Sequence, residues 1–202
     1  MTTLLILTTL LAGGLLFGII TTVTDIKNWF PYVIKKGKHY ASSNLLLRFI
    51  PYFKDVIRFE VIFTESCIYK HTPESDQLDI NKLYGFWWGL KGAKYNSIRV
   101  GWRWSIEKRK IELFLYVHDN SNNFQYFLIK EIEISDKVKF NVFIFNDDKL
   151  RQGKSRLVIS GDGFYQTINF NQKIPKLKFR SLPYFGGNQI AQDDVKILIR
   201  EI

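Results

Sequence analysis

Two hydrophobic patterns divide the chain. Thr3 to Val23 is a run of about twenty residues without a charged side chain, long enough as a helix to cross a hydrocarbon core of about 30 Å. Beyond Asp25 the pattern becomes alternation. Ile57, Phe59, Val61 and Phe63 fall on one face of an extended segment, with Arg58, Glu60 and Thr64 among the residues on the other. Ile98, Val100, Trp102 and Trp104 alternate with Arg99, Gly101 and Arg103. Ile111, Leu113, Leu115 and Val117 alternate with Lys110, Glu112, Phe114 and Tyr116. Asp119 to Asn123 is a polar turn, and further strands are predicted at 126–132, 138–145, 156–160, 164–170, 176–185 and 195–202. The segment from Thr72 to Asp79, with Pro73 and several charges, reads as a surface loop.

Strands at this spacing, with no amphipathic helix between them, predict an all-β domain: an antiparallel β-sandwich or jelly roll. The expected organisation is a transmembrane anchor over 1–24, a basic juxtamembrane lead-in over 25–43, and the β-sandwich over 44–202. The apolar run lacks the basic start of a signal peptide and is longer than its usual apolar core. Gly14 stands where a lipoprotein signal would carry its cysteine, so the segment is read as an uncleaved anchor. Lys27, Lys35, Lys36 and Lys38 follow it, which by the positive-inside rule places the β domain on the cytoplasmic side. Trp29, Phe30 and Tyr32 are expected at the membrane interface.

Composition sharpens this picture in two places. Aromatic residues make up 16% of the chain, which suits pleated, half-buried strands. The formal charge of +10 points to an anionic partner, either a glycan or an anionic lipid, although lysines scattered on strand exteriors also serve solubility. No zinc-finger, helix-turn-helix or RNP pattern accompanies the charge, so no specific nucleic-acid binding is expected. The one cysteine, Cys67, excludes a disulfide framework and is expected in the core. His39, His71 and His118 have no metal-ligand spacing, and neither a metal nor a cofactor is predicted. Asp193-Asp194 precedes the last strand, where it caps a loop or takes calcium.

Candidate chemistry sits on the polar faces of the two central strands. Arg99 and Arg103 share one face; Glu112, Phe114 and Tyr116 share one face of the next strand. If these faces coincide they form a platform of guanidinium, carboxylate and aromatic groups, suited to stacking sugar rings and to forking onto carboxylate or sulfate. The alternative is a set of cross-strand ion pairs on a solvated sheet. Trp87 and Trp88 must face opposite ways in a strand; Trp88 is taken as the stacking residue, and Asn96 as the residue positioning a loop.

Four blocks carry a resemblance: residues 34–40 (Ile-Lys-Lys-Gly-Lys-His-Tyr), 79–86 (Asp-Ile-Asn-Lys-Leu-Tyr-Gly-Phe), 96–104 (Asn-Ser-Ile-Arg-Val-Gly-Trp-Arg-Trp) and 183–188 (Pro-Tyr-Phe-Gly-Gly-Asn). In this order they resemble a group of uncharacterised β-sandwich proteins of Bacteroidota and their phages. The resemblance implies a concanavalin-like jelly roll, an architecture shared by lectins, glycanases and polysaccharide lyases. Histidines that the group carries before its Asn-Ser-x-Arg block and before its last aspartate are replaced here by Gly92-Ala93-Lys94-Tyr95 and by Gln192. The expected function is therefore binding of a glycan or other anionic polymer through Arg99, Arg103, Glu112, Tyr116, Trp88 and Asn96. A polysaccharide lyase or glycosidase, with Tyr116 and Arg99 in its site, is the catalytic alternative. A membrane-tethered structural or interaction module is the third.

Overall fold

The computed structural model describes residues 28–41, 49–72, 74–119, 124–146, 154–170 and 173–202. The expected anchor at 1–24 lies outside them, and among the described residues no helix is long and apolar enough to cross a membrane. Residues Pro31–Ile202 form one compact unit; of the other, Met1–Phe30, only residues 28–30 are described.

Twelve strands are described: β1 (Phe30–Ile34), β2 (Pro51–Tyr52), β3 (Val56–Phe63), β4 (Asn81–Trp87), β5 (Asn96–Ser105), β6 (Lys110–Asp119), β7 (Phe124–Ile132), β8 (Lys137–Asn146), β9 (Ser155–Gly161), β10 (Phe164–Phe170), β11 (Lys178–Ser181) and β12 (Val195–Glu201). They form two six-stranded sheets, ordered β1-β12-β3-β8-β9-β10 and β2-β11-β4-β5-β6-β7. Pairing is antiparallel from β12 to β10 in the first sheet and throughout the second. The domain is an all-β sandwich. The alternating residues that predicted strands at β3, β5 and β6 turn their apolar sets inward, where burial of each large side chain is worth about 1.5–3 kcal/mol.

Rings bridge the two sheets. Phe59 of β3 meets Tyr84 of β4 edge-on at 5.1 Å between centroids, and Phe63 meets Trp102 of β5 at 5.2 Å. Cys67 is buried beside this layer, its thiol pushed up to about 12 by burial.

Three local expectations are corrected. Within the expected lead-in, Phe30–Ile34 is strand β1, whose Tyr32 and Ile34 enter the core; Tyr32 is thereby withdrawn from an interfacial belt. The strand expected over 176–185 is only Lys178–Ser181, after which the chain runs as a tethered loop. In the segment read as a surface loop, Glu74–Leu78 is instead a short 3-10 turn, with Ser75 and Leu78 exposed and Gln77 buried. Buried Gln77 accepts a bond from the His71 amide at 2.8 Å and donates to the Trp104 carbonyl at 2.9 Å, fixing the short 3-10 turn Glu74–Leu78 onto the sheet. Asp194 accepts from Lys35 Nζ at 2.6 Å and from the Lys36 amide at 2.9 Å, so it pins the segment after β1.

Candidate functional site

The outer face of the second sheet carries what the inner face excludes. Cross-strand register sets Arg99 of β5 opposite Tyr116 of β6, and Tyr116 opposite Tyr126 of β7. A bulge between Lys82 and Tyr84 adds a residue to β4 there, leaving Lys82 on the outer face while Leu83 and Tyr84 both enter the core. Two glycines allow close approach over this face. At Gly85, whose φ is +155°, a Cβ would sit 2.1 Å from the Ile98 carbonyl oxygen. At Gly101 it would sit 2.5 Å from the Ile80 side chain, so only glycine lets the segment 78–80 lie down on β5.

That segment is one wall of a cleft of about 970 Å³. A neighbouring wall comes from the loop after β11. Asn81 holds it: its Oδ1 accepts from the Gly186 amide, and Tyr184 exchanges backbone bonds with Lys82 at 2.8 Å each way. Tyr40 packs edge-on against Tyr184 at 4.8 Å. Gly92, Ala93 and Lys94 close the far side, and Trp87 and Ser181 line the cleft toward β11.

At the floor lies Arg99, 7% exposed. Its Nη2 donates to Nδ1 of His118 at 2.9 Å, and its guanidinium stands 5.3 Å from the centre of the Tyr116 ring. Its Nε has no hydrogen-bond partner, and among the described residues no carboxylate pairs with it. Burial lowers its pKa to about 10, the nearby tyrosines opposing the shift. Lys82 stands 4.4 Å from the same Tyr116 ring and donates to the Ile80 carbonyl at 2.6 Å. Burial, then the charge of Arg99, brings its ammonium down to about 8. Burial, then the charges of Arg99, Lys82 and Lys94, bring His118 down to about 4, so it is neutral near pH 7. Burial pushes the Tyr116 and Tyr184 phenols up, keeping both protonated. Among the described lining residues Asp79 is the single carboxylate, against Lys82, Lys94, Arg99 and Arg180, the last of which is paired with Glu201.

Of the sequence-predicted residues, Arg99 and Tyr116 meet in the cleft. Arg103 and Glu112 share their sheet face but lie outside the cleft lining, closed on each other: Arg103 Nε donates to Glu112 at 2.5 Å, and Lys108 adds a second bond at 2.9 Å. Burial raises the Glu112 carboxyl, but these two cations outweigh it and hold it below its usual value. Trp88 is not on the platform; it is 3% exposed and packs in the core near Phe170. The tryptophan on the cleft is Trp87. Asn96 is buried and acts through its backbone, accepting from the Trp88 amide at 3.1 Å and donating to Gly92 at 3.2 Å, which shapes the loop that walls the cleft. Lys82, Tyr184 and Phe124 join the site without being candidates in the sequence, and His118, weighed there only as a metal ligand, joins it as the acceptor for Arg99. The available signal was alternation: Tyr116 and His118 are two apart on one strand face. Among the described residues no three His, Cys, Asp or Glu side chains gather to hold a metal ion.

No protein-family model matches the chain, and no curated protein matches it.

Proposed function

We propose that the protein is a binding module for an acidic glycan, which it holds in the cleft on the outer face of the second sheet. The observation that carries this reading is Arg99: a buried guanidinium with an idle Nε and, among the described residues, no carboxylate partner, set at the floor of an open cleft. A buried charge without a counter-charge costs several kcal/mol. A uronate carboxylate or a sugar sulfate would supply the missing charge in forked geometry. The rings of Tyr116, Trp87 and Tyr184 supply flat apolar faces, and His118, whose Nδ1 accepts from Arg99, keeps its proton on Nε2 as a donor.

The proposal includes the finer architecture: a concanavalin-like jelly roll, related to the β-sandwich group that the sequence resembles, carried on a membrane anchor over 1–24. A reporter fused after Ile202 that is active only outside the cytoplasm tests the placement. An external signal fits a glycan ligand. A cytoplasmic signal, which the lysines after the anchor would favour, replaces the glycan by anionic lipid.

The direct test retains full-length protein on immobilised acidic and neutral polysaccharides. The reading expects retention on acidic polymers and its loss in Arg99→Gln. Equal retention on neutral polymers, or retention unchanged in the variant, would sink it.

One observation favours a second reading. Lys82, with a pKa near 8, and Tyr116, with a raised one, put a partly free amine and a protonated phenol beside Arg99. That is the complement of a polysaccharide lyase: Arg99 neutralises the uronate carboxylate, a base removes the proton next to it, and an acid protonates the departing glycosidic oxygen. His118 is a poor base here because Arg99 occupies its Nδ1. Absorbance of an unsaturated product during the retention assay separates lyase from binder.

A further inference from the structure

Resting on the acidic-glycan reading, we infer that the ligand is a polymer lying across the strands, with its acidic group on Arg99 and a neighbouring stretch stacked on Phe124 and Tyr126 of β7. These two rings are 52% and 51% exposed, though both line the cleft. They belong to a row. Phe124 lies 5.6 Å from Tyr116 with 15° between the ring planes, and 6.2 Å from Tyr126 with 17°. Tyr116 of β6 is thus continued on the edge strand by two near-parallel rings, Phe124 and Tyr126, which follow one another along β7. At the opposite end Trp87 is stacked on Phe179 of β11 at 4.6 Å and 25°. From β11 to β7 there are four strand spacings, about 19 Å in all. Trp87, backed by Phe179, therefore stands at one end of the cleft and Phe124 with Tyr126 at the other, with Lys82 and Arg99 between them.

A single sugar would leave one or both aromatic ends uncovered. An apolar edge strand is also a hazard: unpaired backbone groups and exposed Phe and Tyr invite another strand unless something covers them. β7 is the last strand of its sheet, and Phe124, Tyr126 and Leu128 are all about half exposed on it. The charge complement chooses between occupants. A polymer with repeated acidic groups meets Lys82 and Arg99 at the floor and Lys94 on the wall, whereas a second copy of this chain, at +10, would bring net like charge to the same face.

The test titrates full-length protein with uronate oligomers of increasing length, from galacturonate, alginate and glucuronan, each from monosaccharide to octasaccharide, and follows the oligomeric state by sedimentation. The expected result is an affinity at least about tenfold higher for the longest oligomer than for its monosaccharide. Phe124→Ala with Tyr126→Ala lowers the affinity of the longest oligomer by more than that of the monosaccharide, so that the gain with length is lost, and Arg99→Gln removes binding of both. Length-independent affinity would overturn the polymer inference but leave the acidic-group reading standing. No binding by any of these oligomers overturns the inference, and no retention on sulfated polysaccharide either overturns the acidic-group reading with it. A dimer that dissociates in the Phe124/Tyr126 double variant, with no gain from length, makes the aromatic row a self-association surface and overturns the inference.

Discussion

Arg99 donates through Nη2 to Nδ1 of His118 at 2.9 Å, and this bond sets the tautomer and the charge of the histidine. A guanidinium has no acceptor, so Nδ1 must be the lone-pair nitrogen and His118 a neutral ring. Protonating it would place a third charge beside Arg99 and Lys82. The native pKa of His118, about 4, lies below its unfolded value near 6.5. Between these pH values the unfolded chain binds the extra proton, so His118 costs stability as pH falls from about 6.5 to about 4, by at most about 3 kcal/mol. Thermal melts over this range should show that loss in the wild type and a shallower one in His118→Gln.

The unpaired charge of Arg99 makes a second expectation unusual for a buried residue. Replacing it with Met removes a desolvated cation that no carboxylate among the described residues balances. Denaturation of Arg99→Met should show stability unchanged or raised by up to about 2 kcal/mol, while retention on acidic polysaccharide disappears. A loss of several kcal/mol would mean that the guanidinium holds the sheet together, and the binding reading would lose its main support.

Much of the sheet was legible because β-structure repeats every two residues. Arg99 and Tyr116 could be placed on the polar faces of adjacent strands from alternation alone, and register then set them opposite each other. Trp87 and Trp88 could not be told apart for a definite reason. Counting by twos from Leu83 puts Trp87 inside, but the bulge between Lys82 and Tyr84 inverts the order, so Tyr84, Phe86 and Trp88 face the core. Alternation also says nothing about contacts between distant segments. Lys82 and Tyr184 are joined by a backbone bridge across about a hundred residues, and no local pattern announces it. Arg103 and Glu112 were legible as a facing pair, but whether the pair awaits a ligand or closes on itself depends on distances.

Because that pair is closed, Glu112 should matter for stability and not for binding. Glu112→Gln leaves Arg103 and Lys108 without their shared carboxylate, at a cost of about 1–2 kcal/mol given that both cations are partly exposed. Affinity for acidic oligomers should stay within about twofold of the wild type. A large affinity loss at unchanged stability would bring Glu112 back into the site.

The adjacent tryptophans should separate in the same way. Trp88→Ala opens a cavity in the core beside Phe170 and should cost about 3–5 kcal/mol in denaturant unfolding. Trp87→Ala removes a ring that stacks on Phe179 and donates to the Arg180 carbonyl at 3.1 Å, at a cost nearer about 1 kcal/mol. Its effect should fall on retention of longer oligomers.

Lys82 gives the site its own alkaline limit. In the free protein its ammonium titrates near 8 because burial and Arg99 disfavour the charge; unfolded it titrates near 10.5. Between these values the unfolded chain holds more protons, so the Lys82 contribution to stability rises with pH. Binding runs the other way. An anion beside Lys82 favours the ammonium, so affinity should be full below about pH 7 and fall by up to about tenfold by about pH 9 as the amine loses its proton. Calorimetric titration with uronate oligomers over this range reads the effect directly. Lys82→Arg, which stays charged throughout, should flatten the profile, and Lys82→Met should give the weaker, alkaline-limit affinity at every pH. A wild-type profile as flat as that of Lys82→Arg would place Lys82 outside the anion's reach and leave Arg99 as the only cation at the cleft floor that the ligand meets.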